Sequence, residues 1–187
     1  MVAASLNQRL TPNTCVWADK NSRAELNVGN GFVRMNSETS VTLVALSQST
    51  VQLKVNQGAV SLSVPRLHGG EIYEIDTPNA TLTVMKPGVY RVDVFSKEDQ
   101  TWVTVRRGVL AASGKGRAVN IDAGHQVKFQ GENSLQHTAE KAPAPDGFDD
   151  WARVRDERLG VFASRPFIVG FGYPAPPPPP VWGPYPR

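Results

Sequence analysis

Cysteine occurs once in these 187 residues, as Cys15, and histidine three times, as His68, His125 and His137. A lone cysteine excludes an intrachain disulfide framework and a cysteine-rich zinc site. The three histidines lack the close helical spacing of most histidine metal sites. No GxSxG elbow and no HExxH motif is present. Charge of one sign is also scarce: 20 Lys+Arg stand against 17 Asp+Glu, a formal net charge of +3. So small an excess, spread along the chain, is no nucleic-acid footprint. Long hydrophobic runs are missing as well. The longest apolar stretch, residues 161–172, is interrupted by Arg165-Pro166 and falls short of the ~20 residues that span a bilayer. Met1-Val2-Ala3-Ala4-Ser5 shows no basic stretch leading into an apolar one, so no secretory signal is readable there.

What is present divides unevenly. The chain has 15 prolines. Pro12, Pro65, Pro78 and Pro87 precede residue 140; the other eleven follow it. Between residues 23 and 130 apolar side chains fall at every second position, the period at which a strand alternates its faces. Val33/Met35, Val41/Leu43, Val51/Leu53/Val55, Val60/Leu62/Val64, Tyr73/Ile75, Tyr90/Val92/Val94, Val103/Val105 and Val127/Phe129 are examples. Gly, Pro, Asn and Asp separate the segments, as at Asn56-Gln57-Gly58, Thr77-Pro78-Asn79 and Asp122-Ala123-Gly124, which read as turns. Spacing near ten residues with no intervening amphipathic helix predicts an all-β sandwich or roll over residues 1–140. Leu53–Val60 and Val103–Leu110 echo one another as strand, two polar residues, glycine, strand. Two hairpins obeying the same turn rules account for the echo as well as a duplication does.

Residues 141–187 are of different composition. After Ala142-Pro143-Ala144-Pro145, Asp146 is placed to cap a short helix over about 147–159, with Asp149 and Asp150 in its first turn and Gly160 at its end. Phe148, Trp151 and Leu159 would share a face that docks on the β domain, with Asp149–Arg153 and Arg153–Glu157 pairs on the other. A proline-rich end follows, extended and stiff, in which Tyr173, Trp182 and Tyr185 are the side chains of a docking peptide. These three and Trp151 are the candidate partner-binding residues. Trp102, Val89 and Phe95 are out of phase with the core positions, so the second face of their sheet needs a cover, most simply the C-terminal segment.

Chemistry is thinly supplied. Glu71/Glu74 and Asp149/Asp150 read as solvated carboxylates beside turns or a helix start. Ser113-Gly114-Lys115-Gly116-Arg117 reads as a hairpin tip. Cys15 reads as a small buried side chain, His68 and His125 as exposed turn residues. No catalytic residue, metal or cofactor is assigned. An enzyme or small-ligand protein would need a pocket uniting Cys15, His68 or His125.

The stretches Val51–Val60, Tyr73-Glu74-Ile75-Asp76-Thr77-Pro78-Asn79-Ala80, Gly88–Val94, Thr101–Gly108 and Ile121–Gln126, in that order, resemble a FecR-type domain. Trp17-Ala18-Asp19, Pro87-Gly88-Val89-Tyr90-Arg91 and Asp149-Asp150-Trp151 add to the likeness, which covers roughly residues 10–130. The resemblance implies a non-enzymatic, extracytoplasmic all-β module of a Gram-negative envelope, periplasmic and bound to a protein partner. FecR regulators proper add a cytoplasmic helical segment that handles a sigma factor, and a membrane span. Neither is recognisable here, and Pro87-Gly88 replaces the usual Gly-Thr, so the expectation is a binding or scaffold module. A signal-transducing regulator linked to a transporter and sigma factor is the alternative. Relatives carry strands ahead of the region matching Leu6–Trp17, so the β domain is expected to be truncated there and to leave an unpaired sheet edge.

Overall fold

The structure is a computed structural model describing residues 7–114, 118–131 and 136–162. Tyr173, Trp182, Tyr185 and the proline-rich end lie outside the described residues, as do Lys115–Arg117 of the expected hairpin tip. Thirteen strands and one helix are present among the described residues. The strands are β1 (Cys15–Ala18), β2 (Ala24–Val28), β3 (Gly31–Met35), β4 (Thr39–Leu46), β5 (Thr50–Val64), β6 (Ile72–Asp76) and β7 (Thr81–Val84). They continue with β8 (Gly88–Phe95), β9 (Gln100–Arg107), β10 (Val109–Ser113), β11 (Val119–Asp122), β12 (His125–Gln130) and β13 (Gln136–Lys141), and the helix is α1 (Gly147–Leu159).

The strands form two sheets joined through β5. The first runs β1-β4-β5-β6-β7-β10-β11 and the second β2-β3-β5-β8-β9-β12-β13. All neighbours are antiparallel except β5 and β6. The expected all-β roll with a short helix behind it is what forms. Its inner side chains, among them Leu43, Leu53, Ile75, Leu82 and Leu110 from the first sheet and Met35, Leu62, Tyr90, Val103 and Phe129 from the second, make one hydrophobic cluster. Burial of each such side chain contributes about 1.5–3 kcal/mol.

One predicted turn is not a turn. Asn56-Gln57-Gly58 lies inside β5, a continuous strand of 15 residues. Thr50–Gln57 pair with β4 and β6 in the first sheet, and Gly58–Val64 with β3 and β8 in the second. The chain crosses between sheets at Gly58, where φ is +89°. The inward positions change from odd (Val51, Leu53, Val55) to even (Val60, Leu62, Val64) across it, the shift that one extra residue in a strand produces. Gly108, φ +91°, does the same between β9 and β10. There the inward set passes from Val103 and Val105 to Leu110 and Ala112. The echo between Leu53–Val60 and Val103–Leu110 therefore marks two corners, not two hairpins. Both sites also exclude a side chain: a Cβ on Gly58 would stand 2.3 Å from Thr39 Oγ1, and one on Gly108 2.2 Å from Tyr90 Oη.

The corners are tied by buried polar groups of the sequence motifs. Tyr90 is fully buried, and its hydroxyl donates to Lys86 O with Val109 O 3.2 Å away. In the Asp76–Asn79 motif, Thr77 Oγ1 donates to Ala80 O, while Asn79 Nδ2 donates to Asp99 Oδ1 at 2.9 Å and Asn79 Oδ1 accepts from Thr101 Oγ1 at 2.7 Å. That side chain links the β6–β7 turn of the first sheet to the β8–β9 hairpin of the second.

β13 was not foreshadowed, because Gln136-His137-Thr138-Ala139-Glu140-Lys141 has no apolar alternation; among the described strands it pairs with β12 only, and Lys128 meets Glu140 across that pair at 2.7 Å. Cys15 departs from expectation in the other direction: it is exposed at the start of β1, with Sγ 3.7 Å from Ser40 Oγ. Among the described strands β1 pairs with β4 only and so forms one edge of the first sheet, and Cys15 lies on its outer face, where no described strand or helix covers it.

Candidate functional site

The face of the second sheet that points away from the core carries the densest polar constellation among the described residues, and α1 lies on it. The helix forms where expected because its ends are satisfied. Asp146 Oδ1 accepts from Phe148 N at 2.9 Å and Asp149 N at 3.0 Å, and Asp149 Oδ2 accepts from Asp146 N at 3.2 Å, completing a capping box. Such a cap contributes about 1 kcal/mol. Gly160, φ +61°, closes the other end.

Two apolar side chains of α1, Phe148 and Ala152, are buried against the sheet. Arg91 and Arg23 lie over the Phe148 ring at 5.5 and 5.8 Å, and Arg23 lies 5.2 Å from the Trp151 ring, which stacks beside Phe148. Trp151 is thus half-buried and engaged within the chain. The expected aromatic face is only partly right, since Leu159 is exposed.

Charge does the rest of the docking, in two clusters. In the first, Arg34 of β3 is fully buried between Glu25 of β2 and Asp156 of α1, each at 2.8 Å. Its Nη1 also donates to Ser63 Oγ of β5 at 3.1 Å, and that hydroxyl donates to Asp156 Oδ2 at 2.8 Å. Arg155 of α1 closes the cluster on Glu25 at 2.6 Å. In the second, Arg91 of β8 pairs with Asp93 at 2.9 Å, with Asp146 at 2.7 Å and with Asp149 at 2.9 Å, and Arg106 of β9 reaches the same Asp149 oxygen at 2.8 Å. Arg106 Nη1 donates to Pro143 O, fixing the linker as well.

These contacts correct the reading of the helix charges. Asp149 does not pair with Arg153 and is not solvated; it turns to the sheet, while Arg153 pairs with Glu157 at 2.7 Å and Asp150 at 3.5 Å.

The electrostatics follow from the geometry. Burial works against the Asp146 carboxylate, but the Asp149 and Phe148 amides and the Arg91 guanidinium outweigh it and hold its pKa down at about 2. Burial pushes the Asp93 carboxyl above its usual range despite Arg91. The Arg155 guanidinium, with Arg34, holds Glu25 below its own. Burial alone would lower Arg91, yet the carboxylates of Asp93, Asp146 and Asp149 raise it well above its ordinary value. Structural ion-pair networks shift pKa values in just this way.

Alongside this contact the helix and sheet leave a groove of about 590 Å3, lined among others by Val89, Arg106, Ala152, Glu157 and Phe162. Val89 is therefore flanked by α1, as the phase of β8 required. Phe95 and Trp102 are not covered by α1; their rings meet as a tilted pair with centroids 4.8 Å apart, with Lys128 4.3 Å above Trp102.

The remaining candidates lie apart. Cys15 is on β1, His125 is exposed at the start of β12, and His68 stands in the β5–β6 loop, 3.3 Å from Glu71. The described contacts join none of the three to another. Among the described residues no group of three or more His, Cys, Asp or Glu side chains could hold a metal ion, and no helix is long and apolar enough to cross a membrane. Sequence reasoning missed Glu25, Arg34, Arg91, Arg106 and Asp156. The available signal was an arginine wedged between core residues, as in Val33-Arg34-Met35 and Tyr90-Arg91-Val92, where alternation points it to the outer face of a central strand.

Comparison with known proteins fits this architecture. Two crystal structures of a protein from Parabacteroides distasonis, assigned as an anti-sigma factor, share the fold with a TM-score of 0.61 at 14% identity. The likeness covers 70% of this chain and 61% of those chains, so the chain matches under two thirds of their length. A search of curated proteins finds no match. The family model described as FecR protein matches residues 14–111, from the approach to β1 into β10 and so through both corners and the Tyr90 tie. On that match, the chain belongs to the FecR protein family.

Proposed function

We propose that the chain is a non-catalytic regulatory module that works outside the cytoplasm, in the periplasm of a Gram-negative envelope, and carries a signal by contact with an envelope protein. The family match over residues 14–111 carries this reading. The like-folded anti-sigma factor supports regulation over a plain scaffold. The partner-facing side chains on this reading are Tyr173, Trp182 and Tyr185, with Trp151 anchoring the segment that bears them. The carboxylates of α1 support a non-catalytic role, because Asp146 and Asp149 are committed to the cap and to Arg91 and Arg106.

Transcript profiling of a strain lacking the gene tests it. A defined set of transcripts should change and should be restored when the intact chain is supplied with an export signal, but not when it is held in the cytoplasm. An unchanged transcript profile alongside an envelope defect would leave the scaffold reading and sink the regulatory one.

A further inference from the structure

We propose that α1 is a releasable latch that gates the arginine-lined outer face of the second sheet, and that this face accepts an acidic, amphipathic helix of a partner when α1 lifts. Release of α1 does not depend on the regulatory reading above.

Three observations carry it. The contact is held mainly by charge: Asp156 on Arg34, Asp146 and Asp149 on Arg91, and Asp149 on Arg106, with Phe148 and Ala152 as the buried apolar side chains of the helix. Buried ion pairs give back in attraction little more than their desolvation costs, so they define where a helix sits without holding it tightly. The seam is also incomplete, because the groove of about 590 Å3 runs beside the contact, lined by Val89 and Arg106 on the sheet and by Ala152 and Glu157 on α1. Lastly, α1 lies beyond the family match, which ends at residue 111. The β body beneath it has its own closed core, since the cluster of buried residues contains no side chain of α1. Lifting the helix, about the Ala142–Pro145 linker, would leave that core intact. It would present Arg23, Arg34, Arg91 and Arg106 against the sheet's own Glu25 and Asp93, with Ser61 and Ser63 between them, a face of net positive charge that charge complementarity suits to an aspartate-bearing helix like α1 itself.

Native-state hydrogen exchange on the intact chain reads the latch directly. The amides of α1 should exchange as one unit, about 100-fold faster than those of Val60–Leu62 and Val103–Val105, with a smaller urea dependence. Exchange at the core rate, or a graded fraying from Gly160 inward, would overturn the latch. Asp156→Asn, which leaves Arg34 short of a charge, should speed exchange of α1 roughly 100-fold further. The triple change Arg34→Met, Ser63→Ala, Asp156→Leu should slow it towards the core rate; no effect of either change contradicts the proposal. For the acceptor face, a labelled peptide of residues 141–162 should bind the Asp156→Asn chain more tightly than the unaltered one, and the same peptide carrying Asp156→Asn should not bind. Failure of the unaltered peptide to bind either chain refutes the acceptor role.

Discussion

Replacing Gly58 by alanine tests the corner architecture, and Gly124→Ala supplies its control. Both glycines have positive φ, +89° and +82°. An L-residue in the left-handed region costs about 1–2 kcal/mol. At Gly124 nothing lies within 4 Å of the added Cβ, so that backbone term is the whole expected loss. At Gly58 the Cβ would stand 2.3 Å from Thr39 Oγ1, 2.6 Å from Thr39 Cα and 2.8 Å from Glu38 O. Two of these three atoms belong to the backbone, so rotating a side chain cannot relieve the clash, and β4 must shift against β5. Overpacking of this kind costs about 1–3 kcal/mol, bringing the total to about 2–5 kcal/mol. Against a whole-domain stability of about 5–15 kcal/mol that is a large share. Urea unfolding followed by tryptophan fluorescence would measure both, with an unchanged denaturant slope showing that the unfolded state is the same. Losses equal within about 0.5 kcal/mol would mean that Gly58 is a flexible link and not a crowded corner.

Tyr90→Phe should cost about 1–3 kcal/mol, because the Lys86 carbonyl loses its buried hydroxyl donor; urea unfolding reads it. In the intact chain burial pushes the Tyr90 phenol up to about 12, so its ultraviolet tyrosinate signal should be missing from the first titration step near pH 10. Asp146 has a folded pKa of about 2 against an ordinary 3.8, so its contribution is present above pH 4 and lost as the pH falls from about 4 to 2. Protection of the α1 amides, taken relative to their intrinsic exchange rate at each pH, should therefore fall over that window. Asp93, whose pKa is raised by burial from 3.8, acts in the opposite sense and above that window: its cost is relieved as the pH falls through its raised pKa towards 3.8, so Asp93→Asn should remove a gain in protection above pH 4 and leave the loss below it unchanged. Cys15 should react with a thiol reagent in one equivalent without denaturant, since it is exposed on β1; reaction only after unfolding would contradict that placement.

The strand segments were legible because a half-buried sheet writes its burial into the chain with period two, as in Val51/Leu53/Val55. The helix was legible because its caps are local: Asp146, Asp149 and Gly160 all act within a few residues of one another. β13 was illegible for the converse reason. It rests at an edge on backbone pairing with β12, and pairing leaves no mark on side-chain polarity. Of the site, Trp151 and the docking of α1 on the β domain were readable from amphipathicity. Arg34 with Asp156 was not, as the two are brought together from opposite ends of the chain through Ser63.

By itself, then, the order of residues determined where the apolar strand segments and the helix form, which side chains face the core, and that Gly58 and Gly108 interrupt otherwise similar segments. Tertiary structure alone decided that those glycines turn a strand from one sheet into the other instead of ending it. It also decided that the carboxylates of α1 face guanidinium groups rather than water. Local rules act over a few bonds, whereas a sheet crossing or an ion pair depends on which distant surface arrives opposite, and that is set only when the two sheets close on their common core.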